Sequence, residues 1–301
     1  MPPVNRSPGP EHEDPLRDLV EQARRGDAGA LDELVRALQD DVYALAVRML
    51  WDPHDAEDAS QEILVKVVTR LDGFRGDSAL RTWVYRIAVN HLLSTRRRHM
   101  ERQGWTFETF ADDLASGLDR RAPAEPSSAA EALLAEEVKV GCTLGMLQCL
   151  DRPHRVAYIL GEVFHLPSDT AAAVCDTTAA TYRKRLSRAR TRVRAFVAER
   201  CGIVNPDAPC RCTRRVDVAI RTGRIDPAAP TFARHPTLTD PPPVAAAVAE
   251  MEDLHDAAAL FRSHPHFATP ERVTRAVTRV VASRAPTLLE DGRTDARLDE
   301  A

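Results

Sequence analysis

The chain has 301 residues, a formal net charge of −4 at pH 7 and six cysteines, and its length allows about two or three domains. Charged residues make up 29% and aromatic residues only 5%, which is typical of a helical, soluble protein. No apolar run approaches the roughly 18 residues needed to span a membrane, and the N-terminus has no apolar signal core. We therefore expect a cytoplasmic protein without a membrane partner, whose cysteines are free thiols, ligands or redox groups.

The first half of the chain shows the period of amphipathic helices. Residues 1–14 are polar and proline-bearing, and we expect them to be disordered. From residue 15 to 102, apolar residues recur at spacings of three and four. This pattern predicts one helix over about 31–49, a second that begins near Asp55, and a third from Ala79 to about Arg98. The loop LDGFRGDS precedes the third helix, and Ser78 is predicted as its N-cap.

The second half is less regular. Residues 103–130 have the composition of a flexible linker, and helical periodicity returns over 131–200 with a helix-turn-helix signature near 167–195. Residues 201–301 are rich in proline and cysteine at first, and then carry two helical patterns over about 244–262 and 270–283. The sequence therefore predicts an all-α fold, with two helical domains joined by a flexible linker and a partly helical C-terminal extension.

The second predicted helix carries an acidic face. Asp55, Asp58 and Glu62 are spaced at i, i+3 and i+7, with Gln61 beside them. Acids near a helix N-terminus are favoured by the helix dipole, so this face is consistent with a simple solvated surface. It is equally consistent with docking on a basic protein surface. No histidine, lysine or phosphate-binding loop accompanies these acids in the pattern of a catalytic site.

The third predicted helix mixes aromatic residues with cations. Trp83, Tyr85 and Arg86 are neighbours, and Asn90 follows one turn later. Aromatic rings stack on unpaired bases, arginine binds phosphate, and an asparagine amide can read base edges. An ordinary surface helix whose C-terminal arginines complement the helix dipole is the alternative interpretation.

The helix-turn-helix signature is more specific. The turn DTT is followed by a helix in which Tyr182 and Leu186 belong to the inward stripe, and arginines and a lysine occupy the other faces. This is the pattern of a recognition helix that reads bases near its start and binds phosphates further on. The alternative is an ordinary basic surface helix.

Taken together, these segments resemble the extracytoplasmic-function group of sigma-70-type RNA polymerase sigma factors. DAEDASQEILVKV resembles region 2.2, FRGDSALRTWVYRIAVNHLLSTRRR resembles regions 2.3 and 2.4, and the stretch from LDRPHRV to RARTRV resembles region 4. The resemblance implies sigma region 2 over 15–102, a linker over 103–130 and sigma region 4 over 131–200. It also implies a promoter-specificity subunit that is not an enzyme, requires no cofactor, and binds core RNA polymerase and promoter DNA.

The resemblance assigns roles to particular residues. The residues implied to dock on core polymerase are Asp55, Asp58, Gln61 and Glu62. Those implied to contact the −10 element, including the loop that would hold a flipped base, are Phe74, Arg75, Ser78, Trp83, Tyr85, Arg86, Asn90, Arg96, Arg97 and Arg98. Those implied to contact the −35 element are Thr178, Thr181, Tyr182, Arg183, Lys184, Arg185 and Arg188.

The sequence departs from the family's pattern at four positions. Asp176 and His165 stand where the family often has glycine, Gly161 where arginine is common, and Tyr182 where a small aliphatic residue is usual. Aspartate tolerates a left-handed backbone better than most residues, so we expect the turn at Asp176 to form. These departures bear on which −35 sequence is read rather than on the fold.

The chain continues beyond residue 200, where minimal members of the resembled group end. Cys201, Cys210 and Cys212 have the spacing C-x8-C-x-C, which matches the usual zinc pairs imperfectly. Three interpretations stay open: a turn with incidental thiols, a site for zinc or another metal with His235 or a partner as fourth ligand, and a redox group. The remaining cysteines, expected in the core, are Cys142, Cys149 and Cys175.

The extension also offers amphipathic helices. They are predicted to pack on the two sigma domains and to hold them inactive, as a built-in substitute for an anti-sigma factor. A separate anti-sigma factor is the alternative partner. A free-standing helix-turn-helix regulator with a metal- or thiol-sensing C-terminal segment is the alternative function. It is disfavoured because a regulator that binds only duplex DNA does not need a module for reading single strands.

Overall fold

A computed structural model describes residues 16–95, 104–119, 122–232 and 257–280. Within these ranges the regular secondary structure is helical, apart from one isolated β-bridge between Cys201 and Cys210. The prediction of an all-α fold is therefore confirmed. The N-terminal residues 1–14 and the stretch 244–256 of one predicted helix lie outside the described residues.

The first domain contains four helices. They are α1 (Arg17–Arg24), α2 (Ala28–Leu50), α3 (Pro53–Thr69) and α4 (Leu80–Ser94), with a short 3-10 turn at Leu71–Gly73. Aspartate side chains cap the N-termini of two of them. Asp27 accepts hydrogen bonds from the N–H groups of Gly29 and Ala30 at the start of α2, and Asp52 accepts one from the N–H of Asp55 at the start of α3. Such caps satisfy backbone donors that a helix leaves unpaired.

The core of this domain lies between α2, α3 and α4, where fully buried leucines such as Leu38, Leu45 and Leu64 meet. The prediction that Ser78 caps α4 is wrong. Ala79 occupies the N-cap position without a side-chain cap, and Ser78 lies one residue outside the helix, exposed, with its hydroxyl directed to the Ala79 carbonyl.

The segment predicted as a flexible linker contains a helix, α5 (Phe107–Ser116). Thr106 and Thr109 form a reciprocal capping box at its start. Phe110 is buried, with its ring 5.8 Å from that of Trp105 and 5.7 Å from that of Phe196. The prediction of a flexible linker is therefore wrong for this part of the segment. It rested on the composition of the residues further along, and this short aromatic pattern was not recognised as a helix.

The second domain is built from α6 (Ala129–Gln148), α7 (Arg152–Tyr158), α8 (Ser168–Val174) and α9 (Ala179–Arg200), and α7 continues into a π-helical turn at Ile159–Val163. Helices α8 and α9 form the helix-turn-helix. Asp176, in the turn between them, has φ 49°, and His165 before α8 has φ 54°. Both positions where glycine was expected therefore have a left-handed backbone, and the turn at Asp176 forms as predicted.

The extension packs on both domains. It contains a 3-10 turn (Thr213–Arg215), α10 (Val216–Arg221), α11 (Ala257–Arg262) and α12, over 271–280. Helix α11 contacts α6 and α9 of the second domain, whereas α12 lies along α2 and the start of α3 in the first. The two domains also touch directly, because α4 packs against α8.

Candidate nucleic-acid interface

The acidic face of α3 forms as its spacing predicted. Asp58 and Glu62 are exposed, and Asp55 and Gln61 are half-buried on the same side of the helix. Neighbouring Glu57 differs from them: it is buried and forms an ion pair with Arg272 of α12. Arg272 of the extension thus contacts α3 at His54 and Glu57, beside the acidic face.

A groove runs between the end of α3, the 3-10 turn and α4. It encloses about 630 Å³ and is lined by Trp83, Arg86 and Asn90 from the predicted set. Lys66 and Arg70 line the opposite wall and were not predicted, although their i, i+4 spacing at the end of α3 is a readable signal. The groove combines cations, an indole ring and a side-chain amide, which are the groups that bind an unstacked nucleotide.

Buried contacts hold the loop of residues 74–78 in place beside this groove. Phe74 is buried, with its ring 5.5 Å from that of Trp83. The guanidinium of Arg24 donates hydrogen bonds to the carbonyl oxygens of Leu71 and Phe74. Arg75 and Ser78 remain exposed at the tip of the loop. A loop that is held rigidly at its start and exposes polar residues at its tip is suited to bind a nucleobase that has left the stack.

Two of the predicted −10 residues are engaged with the second domain. Tyr85 is buried, with its ring 5.7 Å from that of Phe164, and this burial raises the pKa of Tyr85 to about 12. An Nη of Arg86 lies 3.3 Å from a carboxylate oxygen of Asp176. Tyr85 therefore does not face the groove, contrary to the prediction. Arg96, Arg97 and Arg98 lie outside the described residues.

The outer face of α9 is exposed. Thr178 caps the helix by accepting the N–H of Thr181, and both threonines lie at the surface. Of the cations in the predicted −35 set, Arg183, Lys184 and Arg188 are exposed and Arg185 is half-buried. A capped N-terminus flanked by cations is the geometry of a helix that enters the major groove.

Tyr182 is the exception in the −35 set, because it is fully buried and its hydroxyl donates to the Ala157 carbonyl at 3.0 Å. The structure thus corrects its assignment as a DNA contact. It also explains two departures from the family together. A Cβ added to Gly161 would lie 2.9 Å from the Tyr182 hydroxyl and 2.8 Å from Leu186, so the large tyrosine and the small glycine fit each other.

The cysteine cluster does not have metal-site geometry. Cys201, Cys210 and Cys212 line a cavity of about 90 Å³ together with Cys142, which the sequence did not connect to them. Among the residues that the structure describes, no three histidine, cysteine or acidic side chains lie close enough to hold a metal ion. Of the three interpretations left open by the sequence, the metal site is therefore not supported. His235 lies outside the described ranges.

None of the helices in the described ranges has both the length and the apolar character that a membrane span requires.

Comparisons with known proteins agree with this geometry. A family model for Sigma-70 region 2 matches residues 34–102. The chain is 34% identical over 178 residues to the RNA polymerase sigma-H factor of Pseudomonas aeruginosa, covering 58% of this chain and 89% of that protein. It is 35% identical over 176 residues to the ECF RNA polymerase sigma-E factor of Escherichia coli K12, covering 57% of this chain and 88% of that protein.

A solved structure of CnrH in complex with the cytosolic domain of CnrY is also similar, with 24% identity and a TM-score of 0.42, over 60% of this chain and 96% of that one. The identities to the sigma-H and sigma-E factors, over nearly the whole length of those proteins, decide the family. This chain belongs to the extracytoplasmic-function group of the sigma-70 family of RNA polymerase sigma factors.

Proposed function

We propose a division of roles among the surfaces of this sigma factor. As an RNA polymerase sigma factor, it binds core polymerase and promoter DNA and directs promoter-specific initiation, and it is not an enzyme. Sigma factors generally need no cofactor. Because core polymerase transcribes in the bacterial cytoplasm, the protein acts there. No observation favours the alternative of a free-standing regulator.

The groove on α4 carries the assignment of −10 reading. It places Trp83, Arg86 and Asn90 around one cavity beside the loop 74–78, and Lys66 and Arg70 add positive charge on its other wall. A melted strand offers phosphates and unpaired bases, and these groups bind both. The acidic face of Asp55, Asp58, Gln61 and Glu62 is left for a basic surface of core polymerase. The exposed cations of α9 are left for the −35 element.

The described arrangement cannot read both promoter elements at once. The −10 and −35 elements lie about 25 base pairs apart, which is roughly 85 Å along duplex DNA at about 3.4 Å per pair. Arg86 on α4 is 3.3 Å from Asp176 in the turn before α9. The two reading surfaces must therefore separate before the sigma factor can span a promoter, and we assign the described arrangement to the resting state.

The extension holds this resting state together. Its residues 257–280 form a strap that contacts both domains. On the first domain, Arg272 pairs with Glu57, and Thr278 donates to Asp32 at 3.0 Å. On the second, the ring of Phe261 packs 5.2 Å from that of Tyr158. The strap thus restrains the domains as a separate anti-sigma factor would.

Arg48 marks the centre of this junction. It lies on α2 of the first domain, and its guanidinium is 5.6 Å from the ring centre of Phe164 in the second domain and 4.6 Å from that of Phe267 in the extension. Burial lowers the pKa of Arg48 to about 10, so it remains a cation at neutral pH. The contacts of its guanidinium with the two rings favour the joined arrangement of all three parts, whereas its desolvation opposes it.

The test is reconstitution of the full chain with core polymerase, followed by run-off transcription from a promoter library. We expect promoter-specific transcripts. Asn90→Ala is expected to lower open-complex formation and to leave core binding unchanged, because Asn90 lies in the groove and not on the acidic face. Equal losses in both measurements would show that the groove has been assigned the wrong role, and failure to bind core would remove the proposal.

A further inference from the structure

A group of four cysteines surrounds one small cavity outside the surfaces already assigned. Cys142 comes from α6, Cys201 from the end of α9, and Cys210 and Cys212 from the turn that follows. The rest of the lining is largely apolar, with rings such as Phe110 and Phe232. Three chain segments thus bring four thiols together. Because the described residues show no metal-site geometry, we consider a reaction of the thiols themselves instead of metal binding.

The backbone brings two of these cysteines side by side. Cys201 and Cys210 form the isolated parallel β-bridge, and the N–H of Gly202 donates to the Cys210 carbonyl at 3.0 Å. Paired residues on bridged strands lie about 4.8 Å apart, inside the range of about 4.4–6.8 Å that a disulfide requires between α-carbons. Gly202 permits this approach, because a Cβ there would collide with the Cys210 carbonyl and with Arg211.

We propose that Cys201 and Cys210 form a reversible disulfide by exchange with a small-molecule disulfide. The Cys201 thiolate attacks one sulfur of the small disulfide, the S–S bond breaks, and one thiolate leaves. The Cys210 thiolate then attacks the sulfur of Cys201 in the mixed disulfide, and the second small thiolate leaves. Two protein thiols are oxidised, one small disulfide is reduced, and the two protons from the cysteines end on the two small thiols.

The surroundings assign the attacking role to Cys201. Burial raises the pKa of Cys201, whereas the neighbouring backbone of Ile203 and Val204 and the guanidinium of Arg211 oppose that rise. Burial raises the pKa of Cys210 to about 11. Thiolate is the nucleophile in exchange, and backbone N–H groups aimed at a sulfur stabilise a thiolate there.

The experiment uses the full chain, equilibrated in glutathione and glutathione disulfide, alkylated, and digested with trypsin. Cleavage after Arg200 and Arg211 releases the peptide CGIVNPDAPCR, which contains Cys201 and Cys210 and no other cysteine. We expect this peptide to become lighter by two hydrogens and to resist alkylation as the disulfide fraction rises, and to return to two alkylated thiols when glutathione is restored.

Two variants sharpen the test. Cys210→Ser is expected to accumulate a glutathione adduct on Cys201, because the resolving thiol is gone, whereas Cys175→Ser, outside the cavity, should behave as the unmodified chain. A peptide that stays doubly alkylated at every glutathione ratio would overturn the proposal. So would a bond from Cys201 to Cys142 or Cys212, or one equivalent of zinc that protects all four thiols. None of these outcomes depends on the sigma-factor function.

Discussion

The two surfaces assigned to promoter DNA differ in how much of each is available. On α4, Tyr85 is buried against Phe164 and Arg86 is paired with Asp176. On α9, the side chains of Arg183 and Lys184 point into solvent. One chain therefore holds a reading helix that is partly covered by its own second domain and another whose outer face is open. Under the proposed assignment, the contact between the domains restrains the −10 surface and leaves the −35 surface open.

The difference follows from where each helix puts its aromatic residues. On α4, Tyr85 extends away from the groove and fills the contact with the second domain. On α9, Tyr182 points into the domain core, where its hydroxyl bonds to Ala157. The aromatic residue of α4 therefore takes part in the contact between the domains. The aromatic residue of α9 packs within its own domain and leaves the outer face of α9 uncovered.

The largest expected effect is on the inner face of α9. Gly161→Ala would place a methyl group 2.8 Å from Leu186 and 2.9 Å from Tyr182, and overpacking of this kind costs about 1–3 kcal/mol. Gly141→Ala, on α6 with no atom within 4 Å of the added Cβ, is the matched control and should stabilise by up to about 1 kcal/mol. Denaturant unfolding measures both, and equal values would contradict the tight fit of Gly161 and Tyr182.

The next effect concerns the strap. Arg272→Ala leaves Glu57 buried without its partner. A hydrogen bond to a charged group contributes about 1.5–3 kcal/mol, and because Arg272 itself is more than half exposed we take the lower end of this range. We therefore expect the open fraction to rise about tenfold. Arg275→Ala is the matched control, because Arg275 lies one turn away and forms an exposed ion pair with Glu271 at 3.8 Å. Hydrogen exchange of the α12 amides reports the release. Similar exchange in the two variants would show that Glu57 does not anchor the strap.

A smaller effect tests the exposure of α9 directly. In the free chain, Arg188→Ala should weaken binding to duplex DNA and reduce the salt dependence by about one phosphate contact. Asn90→Ala should leave this binding unchanged, because the groove of α4 serves a melted strand. A salt titration of binding to labelled duplex provides the measurement, and equal losses for both variants would remove the distinction between the two surfaces.

The smallest effect belongs to the ion pair between the domains. Arg86 and Asp176 are both largely exposed, and pairs of this kind contribute about 1 kcal/mol or less. Asp176→Asn should therefore open the domains less than Arg272→Ala does, while asparagine keeps the left-handed turn. Energy transfer between labels on the two domains reports the opening. A larger effect for Asp176→Asn would place the main restraint at α4 instead of at the strap.

Sequence periodicity predicted the all-α fold and the acidic face of α3, because each depends on neighbouring residues. The left-handed turn at Asp176 was expected from the family resemblance and from the tolerance of aspartate for this backbone. Periodicity missed α5, whose pattern is only ten residues long. It placed Tyr182 on the inward stripe, where the structure has it, whereas the resemblance listed Tyr182 and Tyr85 among the DNA contacts although both are buried. The burial of Tyr85 depends on a contact across domains, with Phe164, and that of Tyr182 on packing within its own domain, where it bonds to Ala157. The meeting of Cys142 with the later cysteines depends on tertiary packing in the same way.

Separation of the two domains on promoter binding is the central claim, and a distance measurement tests it most directly. Fluorescent labels at exposed Glu21 and Asp169, which lie outside the assigned DNA contacts, would report on the two domains. They are introduced as non-canonical amino acids because the chain has six native cysteines. The account predicts a short distance in the free chain and a much longer one with core polymerase and promoter DNA, since the two elements lie roughly 85 Å apart. An unchanged distance, or a long one already in the free chain, would contradict it.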